Sequence, residues 1–153
     1  MRAVLQRVKR AEVSVAGASV GACGEGLLIL LGVMEGDGPE EAKLLSEKIA
    51  KLRIFSDENG KMNLSCQDIG GGALVVSNFT LGANYAHGNR PDYLASAKPP
   101  VAEELYGQFV CYLREKISPV ETGVFGADMQ ISVTCDGPVT IVMDSKELAR
   151  RKQ

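Results

Sequence analysis

The chain has 153 residues, of which 45% are hydrophobic and 24% charged, and its formal net charge is −2. That length corresponds to about one domain, able to bury a core without metals or disulfides. The slightly acidic balance excludes a protein that coats nucleic acid through bulk positive charge.

Residues 1–8 and 11–16 alternate or run apolar and are expected as strands. Arg2, Arg7, Lys9 and Arg10 form a local basic cluster that could grip one end of an RNA. The apolar part of "MRAVLQRVKRAEVSV" is too short for a secretion signal and is broken by Gln6 and Arg7. No apolar run approaches membrane-spanning length, so a cytoplasmic protein with no membrane partner is expected. "GLLILLGVM", Gly26–Met34, is a continuous apolar run of the kind found in a strand buried on both faces. The period then changes. Ala42, Leu45, Ile49 and Leu52 recur at helical spacing, with Asp37 or Gly38 as the cap and Pro39 at the first helical position. "SDENGK" reads as a hairpin turn around Asn59-Gly60.

"GGGALVVSNFTLG" predicts a strand from Ala73 to about Leu81. On such a strand Ser77, Phe79 and Leu81 face one way and Asn78 and Thr80 the other. Residues 82–98 have no period and form a long polar loop, a place where function is often found. A second helix follows, with Val101, Leu105, Phe109 and Leu113 every four residues and Pro99 and Pro100 at its start. The chain returns to strands at about 120–125, 128–135 and 139–143. Between the last two lies Asp136-Gly137-Pro138, an awkward hairpin, because proline removes a donor from the returning strand. The fold class is therefore α+β, a largely antiparallel, barrel-like sheet with two main helices packed on it. It is expected as a single domain over 1–145 with a charged tail over 146–153. In that tail Arg150, Arg151 and Lys152 read as solvated charge.

Side-chain chemistry is sparse. Cys23, Cys66, Cys111 and Cys135 form no C-x-x-C pair, and His87 is the single histidine, so neither a metal site nor a cofactor is expected. The cysteines read as small apolar fillers in a reducing compartment. "GACGEG" and "GVMEGDG" match no phosphate loop. A hydrolytic triad would have to join His87 to Ser77, Thr80 or a cysteine, with no G-x-S-x-G elbow to present the nucleophile. What remains is backbone chemistry at "SNFTL", whose N–H groups could face a carbonyl oxygen as an oxyanion hole does.

Taken in order, "LQRV", "GLLILLGV", "KIAKLRIFSDENGKMNLS", "GGGALVVSNFTL", the "NRP" loop, "ELYGQFV" and "TGVFGADMQISVTCDGPVTI" resemble the D-aminoacyl-tRNA deacylases of the bacterial and eukaryotic type nearly end to end. The resemblance implies an enzyme that hydrolyses the ester joining a D-amino acid, or glycine mischarged on tRNA(Ala), to the terminal adenosine of tRNA. That is chiral proofreading in translation. It implies a homodimer whose partner is the aminoacyl-tRNA 3′ end, working without metal and with water assisted by the terminal 2′-hydroxyl. Gly137 and Pro138 match a cis Gly-Pro pair that enters the other subunit's active site and excludes L side chains. Ser77, Phe79 and Thr80 match the catalytic segment, and Arg7 the arginine that holds the Gly-Pro loop. Phe125 and Met129 fall where adenine is received. Two positions depart from the family pattern: Asn78 where glutamine is usual, and Cys135 where asparagine is common. Two rival readings make different predictions. A general esterase using Ser77 or Thr80 with His87 would cleave aryl esters. A non-catalytic RNA- or metabolite-binding dimer would hold tRNA without cleaving it.

Overall fold

The computed structural model describes residues 1–150, with the side chains of residues 1–149. The strands are β1 (Arg2–Val15), β2 (Ala18–Cys23), β3 (Gly26–Gly32), β4 (Phe55–Ser56), β5 (Met62–Leu64), β6 (Gly72–Ser77), β7 (Val120–Thr122) and β8 (Gln130–Asp144). The helices are α1 (Pro39–Ala50), α2 (Val101–Arg114) and α3 (Ser145–Arg150), with a 3-10 turn at Phe79–Gly82. The main sheet runs β2-β1-β3-β6-β7, with β8 on β1, and β4-β5 is a separate hairpin. The single-domain α+β architecture with a barrel-like sheet matches the expectation. One feature of the pairing was not anticipated: β3-β6 and β6-β7 are parallel. The connections explain this, since α1 with the β4-β5 hairpin, and then α2, each carry the chain back across the sheet.

β3 and β6 are buried on both faces. Leu27, Ile29, Leu31, Ala73 and Val75 pack in one apolar cluster under the helices. Leu28, Leu74 and Val76 pack in a second cluster with Val8, Ala11 and Val13. This is why "GLLILLG" shows no alternation. Helix α1 contributes Ala42, Leu45 and Ile49 to the first cluster, and α2 contributes Leu105, Phe109 and Leu113.

Several local expectations are corrected. The two opening strands are one, β1, because its far half pairs with β2 while its near half pairs with β3. Strand β3 stops at Gly32. The cap of α1 is Gly38, whose N–H donates to Glu41 Oε2 at 2.8 Å. Asp37 is occupied elsewhere, accepting from the Met1 ammonium at 2.6 Å and from the Met34 N–H at 2.6 Å. Cys23 and Cys66 are buried fillers, whereas Cys111 and Cys135 are exposed. Residues 145–150 form a helix whose Leu148 packs on the core; Arg151 and Lys152 lie outside the described residues.

The break at Asp136–Pro138 is not a hairpin. Both halves of β8 pair with β1, so the strand continues in one direction. Cys135 lies opposite Val8 and Thr140 opposite Gln6. Arg7 alone therefore faces the four residues Asp136–Val139, and the surplus chain bulges outward. The Gly137-Pro138 bond is cis and both residues are exposed.

Candidate active site

Strand β6 does not reach Leu81. Its last ladder contact is Ser77 opposite Leu31, and the Asn78 N–H donates to the Leu31 carbonyl at 2.8 Å. Asn78 remains extended (φ −146°, ψ 91°), and Phe79–Gly82 then coil into the 3-10 turn. The expected two-faced alternation of Ser77–Leu81 thus fails at Phe79, because the parallel partner β3 ends at Gly32 and leaves no ladder to continue. The turn is braced by its own side chains: Thr80 Oγ1 donates to Asn78 Oδ1.

A start of this kind leaves backbone donors without intrahelical partners. The Leu81 N–H reaches the Asn78 carbonyl at 3.4 Å, and Asn78 makes no side-chain cap. The preceding donors, the Phe79 and Thr80 N–H groups, have no protein acceptor among the described residues.

Next to the turn opens a cavity of about 450 Å³. Five residues singled out in the sequence meet on its wall: Ser77, Asn78, Phe79, Phe125 and Met129. Phe125 and Met129 come from the segment between β7 and β8. A Cβ at Gly123 would stand 2.6 Å from Met129 Sδ, so glycine there leaves room for the thioether. Phe125 leans on Tyr106 of α2, ring centroids 5.7 Å apart. The Tyr106 hydroxyl donates to the Val75 carbonyl at 2.8 Å, and burial pushes its pKa up to about 12. Across the opening Phe79, 60% exposed, meets Tyr93 edge to face at 5.0 Å.

Other predicted residues are not brought to this cavity. Thr80 sits beside it on the turn, exposed. Arg7, Gly137 and Pro138 do not line it. Arg7 instead grips the base of the bulge, with Nε 3.1 Å from the Asp136 carbonyl oxygen and 3.3 Å from its carboxylate. His87 is exposed in a loop closed by the Asn84–Asp92 pair and makes no hydrogen bond among the described residues. The triad reading therefore lacks its histidine at the cavity. Tyr93, Ser96, Lys98 and Tyr106 also line the cavity but were not singled out in the sequence. Three of them fall in the aperiodic loop, and Tyr106 reads as an ordinary core position of α2.

Among the described residues, the cavity wall carries no carboxylate, histidine or cysteine. Nor does any group of three His, Cys, Asp or Glu residues converge as a metal site would require. Its polar lining is hydroxyl groups, the Asn78 amide, Lys98 and backbone.

A family model described as "D-Tyr-tRNA(Tyr) deacylase" matches residues 4–144. A D-aminoacyl-tRNA deacylase of Chloroflexus aurantiacus is 58% identical over 148 residues, 97% of this chain and 92% of the relative. One from Paracoccus denitrificans is 54% identical over 149 residues, 97% of this chain and 100% of the relative. Among solved structures, a "c-Myc DNA Unwinding Element Binding Protein" is 40% identical at a TM-score of 0.89, covering 94% of this chain and 98% of its own. A "probable eukaryotic D-amino acid tRNA deacylase" shares the fold at a TM-score of 0.82 and 16% identity, covering 93% of this chain and 97% of its own.

Proposed function

The chain belongs to the D-Tyr-tRNA(Tyr) deacylase family, and from that premise we propose how it hydrolyses the ester of D-aminoacyl-tRNA. It is a hydrolase acting on an ester bond. The observation that carries the mechanism is a pair of backbone N–H groups that have no acceptor, beside a cavity wall that, among the described residues, carries no histidine, carboxylate or cysteine.

The aminoacyl ester enters with its carbonyl oxygen toward the N–H groups of Phe79 and Thr80. Water attacks the carbonyl carbon, and the N–H pair stabilises the charge that develops on oxygen. The bond between carbonyl carbon and ribose oxygen then breaks. The amino acid leaves as its carboxylate, and a proton passes to the ribose oxygen. The 2′-hydroxyl of the terminal ribose assists the water, filling the role a protein base would otherwise take. Adenine rests against Phe125 and Met129. A threonine hydroxyl with no histidine or carboxylate on the adjoining wall to activate it is a weak nucleophile, so Thr80 contributes its backbone and braces the turn.

Chiral selection falls to Gly137-Pro138. A pocket that tells substrates apart by one methylene discriminates by only about 1–3 kcal/mol. Rejecting the far more abundant L-aminoacyl esters calls for a wall that clashes with them. The exposed bulge does not line its own subunit's cavity, which supports its insertion into that of a second copy. Among the described residues β8 pairs with β1 alone, and it exposes Ile131, Val133 and Val142. That apolar face supports a homodimer. The protein is placed in the cytoplasm, where aminoacyl-tRNA is found, and glycyl-tRNA(Ala) is a second substrate because glycine has no side chain to clash. The test is release of amino acid from D-Tyr-tRNA, Gly-tRNA(Ala) and L-Tyr-tRNA. Cleavage of the first two with the third intact is expected; rapid cleavage of L-Tyr-tRNA would refute the chiral filter.

A further inference from the structure

We propose that Ser96 is a positioning residue for the reaction, fixing the peptide unit that presents the Thr80 N–H to the substrate carbonyl. This rests on the mechanism above and names a group which that mechanism leaves out. Ser96 is 5% exposed and lines the cavity. Its hydroxyl donates to the Phe79 carbonyl oxygen at 2.6 Å. That carbonyl and the Thr80 N–H belong to one planar trans peptide, so holding the oxygen on one side holds the N–H pointing to the other. A bond accepted by the carbonyl also polarises the peptide and strengthens its N–H as a donor.

Ser96 is itself tightly held. Its N–H donates to the Tyr93 carbonyl at 3.0 Å, and it bridges to Met34. Its neighbours are pinned as well, with the Glu35 N–H on the Ala95 carbonyl at 2.8 Å and the Ala97 N–H on the Val33 carbonyl at 3.0 Å. Across the turn stands Gly82, where a Cβ would lie 2.1 Å from Ser96 Oγ. Glycine at 82 thus leaves the hydroxyl the space it occupies. The preceding peptide is anchored separately, through the Leu81 N–H on the Asn78 carbonyl at 3.4 Å. The two candidate oxyanion donors therefore have independent supports, and only the Thr80 donor depends on a residue distant in sequence.

The experiment compares wild type, Ser96→Ala and Ser96→Thr in single-turnover cleavage of D-Tyr-tRNA, together with the ¹⁵N–¹H resonance of the Thr80 amide in the free protein. Misplacing a reacting group can cost about a hundredfold. Ser96→Ala should therefore slow the chemical step by roughly tenfold to a hundredfold, leave KM within about twofold and move the Thr80 amide signal. Ser96→Thr, which keeps the hydroxyl, should recover most of the rate. A rate in Ser96→Ala within twofold of wild type, or a loss confined to KM, overturns the proposal. If the wild-type protein leaves D-Tyr-tRNA intact, the mechanism itself fails; an unmoved Thr80 amide in Ser96→Ala then independently overturns the positioning role.

Discussion

Arg7 Nε lies 3.1 Å from the carbonyl oxygen of Asp136, and the same guanidinium reaches the Ile54 carbonyl through Nη1 at 2.7 Å. One side chain of β1 thus ties the foot of the exposed Gly-Pro bulge to the segment after α1. Arg7 is also the residue that the bulge passes over in the ladder, opposite Asp136–Val139. It supplies hydrogen bonds where regular pairing is interrupted.

Replacing Arg7 by alanine should release the bulge. Hydrogen bonds to a charged group contribute about 1.5–3 kcal/mol, and the Asp136 and Ile54 carbonyls lose their donor. Deacylation of D-Tyr-tRNA is expected to fall by roughly tenfold or more, and protection of L-Tyr-tRNA to weaken. Arg7→Lys should not restore either, since an ammonium cannot fork between two carbonyls. Parallel assays on the two aminoacyl-tRNAs decide this; full selectivity in Arg7→Ala would remove the arginine from the filter.

Gly137→Ala should be more damaging than any other single-methyl change in the bulge. Gly137 has φ +137°, and a Cβ there would lie 2.6 Å from the Val139 nitrogen. Left-handed backbone costs an L residue about 1–2 kcal/mol, and the contact with main-chain atoms forces the loop to shift. The expected result is a folded protein with Tm lowered by a few degrees and a loss of D-Tyr-tRNA cleavage much larger than that destabilisation accounts for. Retained selectivity and rate would show that the loop's shape is not what discriminates.

Thr80→Ala should leave deacylation within about tenfold of wild type, because its hydroxyl braces Asn78 and the proposed mechanism asks only for its backbone N–H. No aminoacyl-enzyme should be detected by mass spectrometry during turnover. Complete inactivity together with a trapped acyl adduct in wild type would make Thr80 the nucleophile.

His87→Ala should be silent in both activity and stability. The imidazole is exposed and does not line the cavity. A loss of more than a fewfold in the D-Tyr-tRNA assay would revive a side-chain base.

Stability should decline on the alkaline side. Burial pushes the Cys66 thiol up from 9.0 to about 12, and the Tyr106 hydroxyl from 10.0 to about 12. Each folded-state pKa is raised, so in this window the unfolded chain loses protons that the folded chain keeps. Their contribution is complete below pH 9 and is lost progressively as pH climbs through 9 toward 12. Tm should therefore fall over that range, and Cys66→Ala should flatten the lower part of the fall. An unchanged slope in that variant would mean that other groups control the alkaline limit.

The order of β3, α1, β6 and α2 is legible in the sequence because it depends on local period. "GLLILLG" has apolar residues on both faces, and α1 and α2 repeat theirs at helical spacing. The end of β6 is not legible, because "SNFTL" alternates as a strand would; what stops it is the end of its neighbour β3. The same holds for "CDGPVT", where Asp-Gly signals a reversal. The long β1 offers a partner on both sides of the bulge, so the strand runs on.

Which segments of β3, β6, α1 and α2 are buried, and where α1 and α2 begin, can be read from the chain alone. Those properties follow from side-chain chemistry and from spacing within one element. That Ser77–Phe79, Ser96, Phe125 and Met129 share one cavity while Gly137-Pro138 stands apart from it is settled by packing instead. These segments are far apart in the chain. Their meeting depends on two parallel crossovers and on the register of β8 against β1, which are set by how whole elements pack rather than by any local pattern.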